Sequence, residues 1–269
     1  RMCDVASRLG ADVVRVDGEW GLPLDPQRLL DAHPSPTIIA VVHAETSTGV
    51  RNDVELLGER KGSALLLVDM VTSLGGIEVV VDQWGVDIAY SGTQKCLGVP
   101  PGLAPLTVSN RALARLVERP SSWYLDLNLL SRYVHESAGG GRVYHHTAPV
   151  AMVAALHAGL GVLLEEGLEA SWARHAECGR QLQNGLLELG LELLVPEEHR
   201  LPQLTTVKIP DGVDDAAVRR ELLCSYGIEI GAGAGQLAGQ IWRIGCMGHT
   251  ARRRNVLALL SALRAVLGR

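Results

Sequence analysis

Short unbroken apolar runs alternate along this chain with longer stretches whose apolar residues recur at helical spacing. A helix-like segment stops at Gly10, and ADVVRV (11–16) has the composition of a strand. Asp25-Pro26 supplies the N-cap and first-turn proline of a helix reaching about His33. An apolar strand from Thr37 to Val42 then opens into the polar turn His43 to Gly49, and Asp53 can cap a helix to about Lys61. Next come a buried strand from Ala64 to Val68 and a shorter one from Val86 to Tyr90. The rigid break VPPG precedes an apolar strand from Leu103 to Ser109 and a helix from Asn110.

A glycine-rich loop at Gly139–Gly141 leads into RVYHHTAP, and Pro149 starts a long helix to about Glu166. A second helix runs from about Glu169 to Leu189. The remainder holds the apolar stretch LELLV, a strand LTTVKI, a helix from Asp214, a strand IEI, the loop GAGAG, a strand QIWRIG and a final helix. Strands alternating with helices predict an α/β fold with a mainly parallel sheet and flanking helices. The long helical connection divides the chain into a large domain, residues 1–168, and a smaller C-terminal α/β domain, residues 169–269.

In such a sheet, ligands sit outside the carboxyl ends of the strands. The Ala64 strand delivers Asp69 there, and the Val86 strand delivers the turn Ser91-Gly92-Thr93-Gln94 and then Lys95. An acid and a lysine so placed suit pyridoxal phosphate. The lysine forms a Schiff base with the aldehyde, and the carboxylate pairs with the pyridinium nitrogen. The same two residues also fit a turn-capping aspartate and a solvated loop lysine.

Composition narrows the class. With 47% hydrophobic and 20% charged residues over 269 positions, the chain can bury a sizeable core. It has no Phe, so that core is built from Leu, Val, Ile and Ala. A net charge of −5 and a pI near 6.0 give no global attraction to nucleic acid or an anionic membrane. The basic run Arg252–Arg254 reads as solvated surface. Five widely spaced cysteines without a CxxC predict reduced thiols and neither a disulfide framework nor a zinc site. Apolar runs fall well short of the ~20 residues that span a bilayer. The N-terminus shows no signal-peptide apolar region, and its start at Arg1 within a helical segment suggests an interior cut of a longer chain.

Other motifs carry less. Gly231 to Gly235 follows a strand without opening a long helix, which favours a flexible loop over a dinucleotide site. His145-His146 should diverge in an extended segment and lack a third ligand, so no metal is expected. Cys96, beside Lys95 without a local His partner, reads as a packed thiol. Arg243, expected near the edge of the second domain's sheet, suits either a substrate carboxylate or an interdomain ion pair.

Taken together, HAETSTGV, LLLVDMVTSLGG, GVDIAYSGTQKCLGVPPG, SWYLDLNLL, YHHTAPV, GLEASWARH, LPQLTTVKIP and WRIG resemble the alanine–glyoxylate (serine–pyruvate) aminotransferases, over essentially the whole chain. These are class V, fold-type I enzymes of pyridoxal phosphate. The resemblance implies that Lys95 is the Schiff-base lysine, Asp69 the partner of the ring nitrogen, and Val71 a wall on one ring face. It makes Thr46 and Gln94 cofactor contacts and Arg243 the binder of the substrate α-carboxylate. It implies a homodimer in which Tyr144 and Thr147 reach the phosphate in the other subunit's site. Thr46 stands in place of the family's usual Ser, Met70 in place of a small residue, and Gly98-Val99 in place of Asn-Ala.

Family members carry roughly a hundred further residues ahead of the position of Arg1, including a phosphate-holding turn at a helix N-terminus and a ring-stacking Trp. The implied reaction moves an amino group from alanine or serine to glyoxylate or pyruvate. Alternatives are a catalytically impaired truncated fragment or an interaction partner of full-length subunits, and a 3-hydroxykynurenine transaminase. A class V lyase or desulfurase would need a mobile catalytic Cys, and no cysteine here stands in a matching loop. The resemblance implies an intracellular enzyme of peroxisome or mitochondrion, although the C-terminal Leu267-Gly268-Arg269 is not a peroxisomal tripeptide of the SKL type.

Overall fold

The structure is a computed structural model that describes residues 1–135 and 143–268, so the loop expected at Gly139–Gly141 lies outside the described residues. Helix α1 (Met2–Arg8) comes first. Residues 11–16 run without regular structure and mostly exposed, because no described strand pairs with them and a strand exists only through its ladder. Asp25 Oδ1 accepts the Gln27 N–H at 2.9 Å and so caps α2 (Pro26–Asp31). Strand β1 (Ile38–Val42) leads into a hairpin, β2 (Ala44–Glu45) and β3 (Val50–Arg51), where the sequence showed only a polar turn. Asp53 Oδ1 accepts the Leu56 N–H at 3.1 Å at the start of α3 (Glu55–Arg60).

Strand β4 (Leu65–Asp69) follows, then β5 (Ile88–Tyr90), β6 (Leu106–Val108), α4 (Asn110–Leu113), α5 (Leu127–His135), α6 (Val150–Glu166) and α7 (Leu168–Glu188). The chain ends with β7 (Leu204–Lys208), α8 (Asp215–Tyr226), β8 (Gly231–Ala232), β9 (Ile241–Gly245) and α9 (Arg253–Leu267). The first sheet has the order β1-β4-β5-β6, with β1, β4 and β5 parallel and β6 antiparallel. Its middle is the near-continuous apolar run of β4, as expected of a parallel strand covered on both faces. The second sheet, β7-β9-β8, is antiparallel throughout. The strand expected at Ile228–Ile230 forms instead at Gly231–Ala232, inside the stretch read as a loop. Arg243 therefore lies on the central strand of its sheet and not near an edge.

One buried cluster centres on Ile39, Leu57, Leu66, Val68 and Met70, and another on Leu182, Leu186, Val207, Trp242, Leu259 and Leu263. A smaller one joins Ala44 to Leu201 and Leu204. Helices α6 and α7 meet at an 86° bend, where Gly167 takes φ +86°. Helix α6 is apolar on nearly every face, yet Leu163 is its one buried residue, and Val150 and Leu164 are 72% and 73% exposed. Among the described residues no single helix is long and apolar enough to cross a membrane.

Candidate active site

Parallel register decides what meets at the carboxyl edge. Val42 pairs with Asp69, and Asp69 pairs with Tyr90, so three strand ends stand side by side. Asp69 Oδ1 accepts the Val71 N–H at 2.9 Å, closing a short turn. Asp69 Oδ2 accepts the Tyr90 hydroxyl at 2.7 Å. Turn-capping and presentation of a carboxylate are thus both true of this residue. Burial pushes the Tyr90 phenol well above its usual range, and the Asp69 bond adds to it, so the hydroxyl stays protonated.

Beyond Tyr90 the chain turns through Gly92, where an added Cβ would lie 2.8 Å from Gln94 Oε1 and 3.4 Å from Val71 Cγ1. Val71 and Gln94 therefore converge over a bare glycine. Lys95 follows, half-buried, and among the described residues its amino group makes no hydrogen bond or ion pair. Cys96 is buried with Sγ 3.4 Å from the Thr72 carbonyl, and burial pushes its thiol up to about 12. A thiol so held is a poor nucleophile, in line with the packed reading.

The C-terminal half closes the edge from the other side. Arg243 Nε donates to the Ala232 carbonyl at 2.7 Å and Nη1 to the Thr46 carbonyl at 3.1 Å, across 197 residues of chain. Arg243 and Thr46 are thereby brought together, with Nη2 and the Thr46 hydroxyl left without a protein partner among the described residues. Thr206 Oγ1 donates to the Thr48 carbonyl at 2.7 Å, and Gln203 Nε2 to the Thr72 carbonyl at 2.9 Å. Ser171 Oγ donates to the Gly75 carbonyl at 2.8 Å.

His175 supports the segment after Lys95. It is fully buried, and Nε2 accepts the Gly248 N–H at 2.8 Å, so the ring proton sits on Nδ1, 2.7 Å from the Ser171 carbonyl. Burial lowers its pKa and keeps it neutral. Arg174, paired with Glu166, donates Nη1 to the Gly248 carbonyl at 2.8 Å. Gly248 has φ +52°, and a Cβ there would come within 2.9 Å of the Cys96 carbonyl oxygen.

Tyr144 and Thr147 are elsewhere. Both are exposed, Tyr144 by 71%, with its hydroxyl 2.9 Å from Thr147 Oγ1. No described contact joins them to Asp69, Lys95 or Arg243 in this chain. Contrary to the expected divergence, the neighbouring His145 and His146 rings meet, Nδ1 to Nδ1 at 2.8 Å, and His145 stacks on Trp123 at 4.3 Å. The backbone there is irregular and not a strand, so the alternation of an extended segment does not apply. Sequence reasoning passed over Tyr90, His175, Gln203 and Thr206. For Tyr90 the available signal was its place at the end of the strand beside that of Asp69, and for His175 its i,i+4 pairing with Ser171 on one helix face.

Comparison with known proteins fits this arrangement. The model of the aminotransferase class-V family matches residues 2–252. The chain belongs to that family. This class-V aminotransferase is 40% identical to a (S)-ureidoglycine–glyoxylate transaminase of Bacillus subtilis, over 99% of this chain and 69% of that protein. It is 39% identical to an alanine–glyoxylate aminotransferase of Drosophila melanogaster, over 99% of this chain and 70% of that one. A crystal structure of an alanine–glyoxylate aminotransferase from Nostoc sp. superposes with a TM-score of 0.94 at 47% identity, covering 99% of this chain and 71% of the other. The fold is that of the fold-type I aminotransferases, which depend on pyridoxal phosphate.

Proposed function

We propose that this class-V aminotransferase uses pyridoxal phosphate on Lys95 to move an amino group from alanine or serine to glyoxylate or pyruvate. One observation carries the reading. Among the described residues the Lys95 amino group, the Thr46 hydroxyl and Arg243 Nη2 all lack protein partners, and all belong to the carboxyl edge where Asp69 stands rigidly held. Such a set fits this cofactor: a carboxylate for the ring nitrogen, a lysine for the aldehyde, a hydroxyl donor and an apolar wall in Val71.

Pyridoxal phosphate, when bound, supplies an electron sink for the charge left as the substrate loses its Cα proton. The protein does the rest. Arg243, already anchored through Nε and Nη1, offers its remaining donors to the substrate carboxylate and so fixes the direction of the Cα–H bond. Lys95 Nζ, released once the substrate's amino group takes its place on the aldehyde, would take the Cα proton. Asp69 holds the ring nitrogen charged. Gln94 folds over Gly92 and closes one side. The bend at Gly167 supports ending the large domain at residue 168.

Tyr144 and Thr147 reach the site of a second copy, and the exposed apolar face of α6 beside them lies in the same dimer contact. Both relatives named above act on glyoxylate by name, which supports glyoxylate as acceptor. The 40% identity to the Bacillus subtilis protein favours a second reading for the donor, ureidoglycine in place of alanine.

The test combines absorbance with donor screening. Cofactor-loaded protein should show a long-wavelength band at roughly 400–430 nm that Lys95→Ala abolishes. An unchanged band in Lys95→Ala refutes the lysine assignment. Offered glyoxylate with alanine, serine or ureidoglycine in turn, the protein should form glycine fastest with its own donor.

A further inference from the structure

We infer that Tyr90 is a positioning residue that sets the electronic pull of the site by donating a hydrogen bond to the carboxylate of Asp69. The inference rests on the reading of Asp69 as partner of the cofactor ring nitrogen. Sheet register alone puts the two side chains on neighbouring strand ends. The Tyr90 backbone is locked, its carbonyl accepting the Met70 N–H at 2.8 Å, so the phenol has little freedom to leave. At 2.7 Å the O–H···O contact has the length of a charge-assisted bond.

Each Asp69 oxygen thus takes one protein donor, Val71 N–H on Oδ1 and Tyr90 O–H on Oδ2, and each keeps a lone pair for a ligand. Two donors fix the carboxylate plane. They also draw charge out of both its oxygens, and a carboxylate so engaged leaves the shared proton on the ring nitrogen, where the positive charge strengthens the sink. The titratable groups facing Tyr90 are Asp69 and Glu45, both acidic, and both oppose ionisation of the phenol. The donor is therefore present throughout the working pH range.

Phenylalanine keeps the ring and deletes the donor. In Tyr90→Phe the Asp69 carboxylate has one donor fewer and draws the shared proton away from the ring nitrogen. The pH midpoint of the long-wavelength band should then rise by about half a unit to one unit. kcat should fall about tenfold with KM within about twofold, as for an interaction felt in the transition state. Replacing Tyr90 by 3-fluorotyrosine, a more acidic phenol of nearly the same shape, should move the midpoint the other way.

A packing role alone would lower thermal stability and leave the midpoint in place, and that result overturns the inference. If Tyr90→Phe does not load cofactor, the 3-fluorotyrosine protein decides, and an unmoved midpoint there overturns it as well. Failure of the underlying reading looks different, since wild-type protein would then form no band, or Lys95→Ala would keep one.

Discussion

Asp87 stands at the opposite end of β5 from Tyr90 and offers the sharpest test of how the sheet is held. It is 4% exposed and accepts from Lys61 Nζ at 2.5 Å, from Arg111 Nε at 2.8 Å and Nη2 at 2.6 Å, from the Leu66 N–H at 2.8 Å and from Ser109 Oγ at 3.1 Å. Asp87→Asn keeps the shape but turns an NH2 toward these donors and leaves two cations uncompensated. Removing one partner of a buried pair costs about 3–5 kcal/mol. Arg111 is 38% exposed, which lets water take up part of its charge, so about 3 kcal/mol is the working figure. At about 2–4 °C per kcal/mol for a chain of this size, the thermal midpoint should fall by about 6–12 °C.

The pH dependence has a definite sign. Burial pushes the Asp87 carboxyl up, but the bonds from Arg111, Lys61, Leu66 and Ser109 together outweigh it and hold it far below the usual range. A folded value below the unfolded one, about 3.9, gives stability that is complete above that pH and lost as pH falls further. His43, whose pKa burial and the Arg51 charge lower to about 4, costs stability between about 6.5 and 4, yet it does so equally in both proteins. Urea unfolding of wild type and Asp87→Asn from pH 7 to pH 2.5 isolates the aspartate as a difference. The gap should hold near 3 kcal/mol down to about pH 4 and then close. A gap under about 1 kcal/mol at pH 7, or one that does not narrow in acid, would refute the reasoning.

Two further outcomes follow from the site. In Gly248→Ala the new Cβ meets the Cys96 carbonyl at 2.9 Å and the Gly98 Cα at 3.0 Å at a φ of +52°. Stability should drop by about 1–2 kcal/mol from backbone strain alone, with weakened cofactor binding by fluorescence titration, and unchanged binding would disconnect this turn from Lys95. Co-expressing Lys95→Ala with Tyr144→Ala tests the shared site. In the proposed homodimer half the dimers would be mixed, each with one intact site, so about a quarter of wild-type activity should return, against none if Tyr144 serves its own subunit.

The positions of Asp69 and Lys95 were legible in the sequence because both follow apolar runs of β character, and strand ends in an α/β chain fall on one edge. Tyr90 was legible only as a strand end, since its contact with Asp69 depends on the pairing of β4 with β5, which no spacing within either strand reveals. The central place of Arg243 was hidden for a different reason. Its neighbour β8 is built from Gly231 and Ala232, residues of low strand propensity, paired only because β9 presents a ladder there. ADVVRV failed in the opposite sense, having strand composition without a partner strand among the described residues. His145 and His146 were judged by the alternation of an extended strand, and the backbone there is not one.

What holds the site together is mostly neutral and distant in sequence. Ser171 to Gly75, Gln203 to Thr72, Thr206 to Thr48 and Arg243 to Thr46 span 96, 131, 158 and 197 residues. Each is a side chain of the C-terminal half donating to a carbonyl in a turn at the carboxyl edge. At about 0.5–1.5 kcal/mol apiece, the four contribute on the order of 2–6 kcal/mol, comparable to the whole net stability of a domain. Loop closure costs little more at these lengths than at shorter ones, so distance in sequence is no obstacle. The turns that carry Thr46 and Val71 are therefore shaped by residues beyond 170, and the Asp69–Tyr90 pair is the part of the site that the first sheet sets by itself.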